Sequence, residues 1–123
     1  MRLALLALAA LVWIAVPVSA RAETDVWNGT IASGFAGGTG TENDPYQIST
    51  AAQLAYFAKT VNEGQPYNGL YIVLKNDLNL NNKEWIPIGT DSNPFRGNFD
   101  GGNHTVTRMQ ISNSSVDYVG LFG

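Results

Sequence analysis

Hydrophobic residues dominate the first stretch of the chain without interruption: Leu3 to Val18 carries no charge and follows a basic Arg2. Small residues come next, in Ser19-Ala20-Arg21-Ala22. A positive start, an apolar centre and a small-residue exit make up a secretory signal peptide. The A-x-A spacing places cleavage after Ala22, with Ala20 as the alternative. A spanning helix needs about 20 apolar residues, and this run is shorter and closes on Pro17. Removal of residues 1–22 is therefore expected, with export to the periplasm, the cell surface or the medium and no membrane attachment afterwards.

Residues 23–48 show no period. They are rich in glycine, yet Trp27, Phe35 and Tyr46 are spaced through them, and large rings are uncommon in true linkers. The stretch reads as an ordered lead-in that lays its aromatics onto the next element. Over residues 49–64 the period becomes helical. Thr50 and Gln53 form a capping box, Leu54, Phe57, Ala58 and Val61 make one apolar stripe, and Gly64 stands where a helix terminates.

From residue 69 to 123 the period is two. Ile72, Leu74, Leu78 and Leu80 alternate with Lys75, Asp77, Asn79 and Asn81, and the polar in-phase Asn76 marks a corner. Further short pieces follow: Trp85 to Gly89, Phe95 to Asn103 with a turn at Asp100-Gly101, His104 to Ile111, and Tyr118 to Gly123. Such short strands between frequent turns predict a mainly β domain, either a sandwich, a barrel or a parallel β-helix. Asparagines at the corners and an amphipathic helix before the first strand, placed to cover an open end, favour the start of a β-helix (solenoid) with a capping helix.

Charge narrows the partners. Beyond residue 22 there are five basic and ten acidic residues, a net charge of −5, which repels nucleic acid and anionic membranes. The chain has no cysteine, so disulfides, thiolate metal sites and cysteine nucleophiles are excluded.

Candidate chemistry is sparse. The single histidine, His104, has no recognisable nucleophile motif beside it and reads as a turn residue. Asp77, Asp91 and Asp100 could pair to cleave glycosidic bonds or hold calcium, but each lies in a turn-rich context where aspartate bonds the local backbone. Gly34 to Gly40 lacks the order of a phosphate loop, and no H-E-x-x-H zinc signature occurs. Asn28-Gly29-Thr30, Asn103-His104-Thr105 and Asn113-Ser114-Ser115 match the glycosylation acceptor pattern. Tyr67, Tyr71, Trp85 and Tyr118 could stack on sugars if exposed in line, although core packing is the commoner use. No catalytic, cofactor-binding or metal-binding residue is expected.

The order of motifs resembles a known family. Gly37-Gly38-Thr39-Gly40-Thr41-Glu42-Asn43-Asp44-Pro45-Tyr46-Gln47-Ile48, Leu74 to Leu80, Trp85-Ile86-Pro87-Ile88-Gly89, Phe95 to Gly101 and the terminal Gly120-Leu121-Phe122-Gly123 resemble the N-terminal part of bacterial GLUG-motif surface proteins. The resemblance implies a right-handed parallel β-helix of the pectate-lyase-like type in secreted or surface proteins, often adhesin-like. Such proteins run through several G-L-F-G repeats, so a truncated chain is expected, with further repeats or self-association at Leu121 and Phe122. The function expected is an adhesive or structural surface module without catalysis, its ligand a surface polysaccharide or a protein. The alternatives are the N-terminal part of a carbohydrate-active β-helix enzyme, or the leader of a larger secreted peptidase.

Overall fold

Parallel pairing between segments far apart in the chain organises the molecule. The computed structural model describes residues 24–112 and 120–123. The expected signal peptide, its cleavage at Ala22 or Ala20, the Asn113 triplet and Tyr118 lie outside the described residues. Six strands and one helix follow in order: β1 Asp25–Val26, β2 Tyr46–Ile48, α1 Ala51–Asn62, β3 Tyr71–Leu74, β4 Leu78–Asn79, β5 Asn98–Asp100 and β6 Val106–Thr107. They form two three-stranded parallel sheets, β1-β4-β6 and β2-β3-β5. Residues 23–48, patternless in sequence, supply the first strand of each.

Helix α1 is fixed at its start by three groups. The Thr50 hydroxyl accepts from the Gln53 amide, the Gln53 side chain accepts from the Ser49 and Thr50 amides, and the Asp25 carboxylate accepts from the Ala51 amide at 2.8 Å. The carboxylate comes from β1 and so ties the helix to the other sheet, where negative charge is favoured by the helix dipole. At the far end Asn62 uses both halves of its amide: Nδ2 donates to the Pro87 carbonyl and Oδ1 accepts from the Gly89 amide. Its own carbonyl accepts from the Asn93 side chain.

Alternation along β3 turns Ile72 and Leu74 inward and Tyr71 and Val73 outward. Ile48, Leu78, Leu80, Trp85 and Ile88 join them, and the helix adds Leu54, Phe57 and Val61 to the same core. Three further asparagine side chains donate to carbonyls of neighbouring segments: Asn76 to Ser49, Asn81 to Trp27 and Asn98 to Leu70.

The terminal motif is knitted into this core. The Ile88 amide donates to the Leu121 carbonyl, and the Gly123 amide donates back to the Ile88 carbonyl. Trp85 Nε1 also donates to the Leu121 carbonyl.

The expected right-handed parallel β-helix with a capping helix is corrected by these observations. The described residues form two small separate sheets and one helix, and no solenoid. Strand length is one reason: β1, β4 and β6 hold two residues each. Left-handed residues stop the extended runs, with Asn81 and Asn82 following β4 and Arg108 following β6. Residues 84 to 88 pair only through single bridges, Glu84 to Gln110 and Ile88 to Phe122. The helix, moreover, fills the core with large side chains of its own. Period-two alternation reports a half-buried strand but not how far it extends or what lies across from it.

Candidate functional site

The outward face of the β2-β3-β5 sheet gathers polar and aromatic groups around a cleft. β3 and β5 pair with Tyr71 opposite Asn98 and Val73 opposite Asp100. Since residues two apart share a face, Tyr71, Asn98 and Asp100 lie together, while Ile72 and Leu74 point into the core. Glu42 arrives from a tight turn in which the Asp44 amide donates to the Thr41 carbonyl, and the Gly40 carbonyl accepts from the Tyr71 amide at 2.8 Å. The turn is thereby tied to the first residue of β3. The resulting cleft has a volume of 310 Å³ and is lined by Glu42, Pro45, Tyr71, Asn98 and Asp100, with Ile72 and Phe99 beneath.

Its polar groups are mostly acceptors. Asn98 gives one Nδ2 hydrogen to the Leu70 carbonyl, leaving Oδ1 and the second N–H. Asp100 accepts from the Gly102 amide through Oδ1, leaving Oδ2. No hydrogen bond or ion pair among the described residues engages the Glu42 carboxylate, and no lysine or arginine lines the cleft.

The other sequence candidates are placed elsewhere. Asp77 and His104 meet, with Nδ1 3.0 Å from Oδ1, and the same Oδ1 accepts from the Thr105 amide at 3.1 Å. The Thr105 amide, and then the His104 ring, hold the Asp77 carboxyl below its ordinary range. The pair ties the residue before β4 to the turn before β6. Asp91 sits in the turn closed by the Thr90 amide donating to the Asn93 carbonyl, and it lines a different cleft from Asp100. Among the described residues no three of His, Cys, Asp or Glu gather as a metal-holding group.

Of the three aromatic candidates among the described residues, Tyr67 and Trp85 are buried and unavailable for stacking, which leaves Tyr71. Thr60 donates to the Phe57 carbonyl, so the Tyr67 hydroxyl donates to Thr60 at 2.7 Å. Burial raises the pKa of Tyr67. Glycines 37 and 40 serve local pairing: the Gly37 carbonyl accepts from the Gln47 amide, and the Gly40 amide donates to the Asp44 carbonyl. Asn28 Oδ1 accepts from both the Thr30 amide and hydroxyl.

A second cleft, of 380 Å³, runs beside α1. Trp27, Ile31, Ala55, Ala58, Trp85 and Ile86 line it, with the Lys59–Glu63 ion pair at its rim. Ile31 and Ile86 are 52% and 69% exposed.

Glu42 and Asn98 escaped the sequence reading. Alternation about Phe99 could have placed Asn98 with Asp100, but nothing local signals that either faces Tyr71.

No family model matches the chain, and no solved structure matches it. A protein of Evansella cellulosilytica, provisionally named a Gly-rich membrane protein, is 37% identical over 90 residues. That match covers 72% of this chain and 10% of the relative, so the chain spans about a tenth of the relative's length. Among the described residues no helix is long and apolar enough to cross a membrane.

Proposed function

We propose that the protein is an exported module that binds surface polysaccharide without cleaving it, through the Tyr71 cleft. The observation that carries this reading is the assembly of one aromatic ring, one amide and two carboxylates on the outer face of a sheet. A half-buried ring offers a flat apolar surface to a sugar, and the acceptors around it suit hydroxyl donors. The apolar leader of the sequence supports export. The relative's description as a membrane protein agrees with a place of action at the cell envelope.

Retention of the full exported chain on a panel of insoluble polysaccharides tests the proposal. Tyr71→Ala and Asn98→Ala should each weaken retention about tenfold, equivalent to ~1.4 kcal/mol, with unchanged circular dichroism. A wild-type chain that no polysaccharide retains would end this reading.

A second reading is a carbohydrate-active enzyme, favoured by the presence of Glu42 and Asp100 in one cleft, since glycosidases work with two carboxyl groups. New reducing or unsaturated ends that disappear in Asp100→Asn would establish it. No release would leave binding as the function, whereas release that survives that substitution would put the cleavage outside this cleft.

A further inference from the structure

Resting on the reading of the Tyr71 cleft as a polysaccharide site, we infer that its ligand is a polymer of amino sugars with free, protonated amines. The cleft has negative charge and spare acceptors but no cation of its own. Glu42 contributes two carboxylate oxygens, Asp100 its Oδ2 and Asn98 its Oδ1, against one spare Asn98 N–H, and among the described residues no lysine or arginine lines the wall. A neutral sugar offers hydroxyls, each equally ready to accept. An ammonium offers three donors and no acceptor, which matches a wall where acceptors outnumber donors. It also interacts favourably with the face of an aromatic ring, and Tyr71 supplies one.

Two other ligands fit less well. Uronic-acid polymers would bring carboxylates against Glu42 and Asp100 in a molecule already at net −5 beyond residue 22. Calcium takes six to eight oxygens at about 2.3–2.6 Å, and the cleft has only two carboxylates to offer.

The experiment compares retention of the full exported chain on chitosan, on its N-acetylated form chitin and on polygalacturonate, in mildly acidic buffer that keeps the amines protonated. Acetylation removes the charge while keeping the sugar backbone. Retention on chitosan should exceed that on chitin about tenfold or more. Glu42→Gln with Asp100→Asn should abolish that preference. Glu63→Gln with Asp91→Asn, two substitutions outside the cleft that remove the same charge, should preserve it.

Equal retention on chitosan and chitin would overturn the amine inference and leave the polysaccharide reading standing. Equal loss in both double variants would overturn it as well, by showing a general attraction between a polyanion and a polycation. Retention on none of the polymers, with capture of a lysine-rich peptide instead, would overturn both and point to a protein partner.

Discussion

The Asp77 carboxylate joins two strands that are remote in sequence. Its pKa is lowered by the Thr105 amide and the His104 ring, so the folded state favours the ionised form more than the unfolded chain does. The stabilisation is complete above the ordinary value of 3.8 and is lost as pH falls through the lower folded value. Urea midpoints of the wild type should fall on acidification below the ordinary value of 3.8. Asp77→Asn should start with a lower midpoint at neutral pH and show a shallower acid slope. Parallel slopes would remove Asp77 from the account of acid sensitivity.

Gly97 illustrates a close approach. A Cβ there would lie 2.6 Å from the Tyr67 carbonyl oxygen and 2.9 Å from that of Leu70. Its neighbours cannot give way, since Arg96 donates to Pro66 and Asn98 to Leu70. Gly97→Ala should cost about 1–3 kcal/mol by overpacking, whereas Gly101→Ala, which meets nothing within 4 Å, should stay within about 0.5 kcal/mol. Chemical denaturation of the two variants side by side reads the difference.

Helix α1 was the most legible element, because everything that specifies it is local. The Thr50–Gln53 box and the stripe Leu54, Phe57, Ala58 and Val61 recur in the structure as the N-cap and the buried face. The third anchor, Asp25, was invisible in sequence, since it reaches the helix from β1. Thr50→Ala should lower stability by about 1 kcal/mol. Asp25→Ala should lower it by a similar amount, measured by thermal melting. The two losses should not add simply, because both act on donors in the first turn of one helix, the Ala51 and Gln53 amides. Strands were legible only as alternation. Which strand lies beside which, the relation that brings Tyr71 to Asn98 and Asp100, is a property of register between distant segments. The β-helix expectation failed for the same reason: short apolar runs imply pairing but leave its extent open.

At the scale of the molecule, one ring connects most of the fold. Phe57 lies within 6.4 Å, centroid to centroid, of Phe35, Tyr67, Phe95, Phe99 and Phe122. These come from the lead-in, the loop after the helix, the approach to β5, β5 itself and the terminal motif. Phe57→Ala should therefore cost about 3–5 kcal/mol, felt in every element at once. In the wild type, far-ultraviolet circular dichroism and the fluorescence of Trp27 and Trp85 should show the same urea midpoint. Separated midpoints would mean that the sheets and the helix unfold as independent units.

The parallel seating of β1 has a mechanical side. The Asp25 amide donates to the Asp77 carbonyl and the Trp27 amide to the Asn79 carbonyl. The Asp25 carboxylate holds the helix, and the Asn81 side chain holds the Trp27 carbonyl. A tether pulling at residue 24 along the strand loads these four bonds in shear, side by side, so they yield together and not one after another. A module held at a surface by that end and by a polymer in the Tyr71 cleft would carry tension through the helix and both sheets, with no single bond as its weak link.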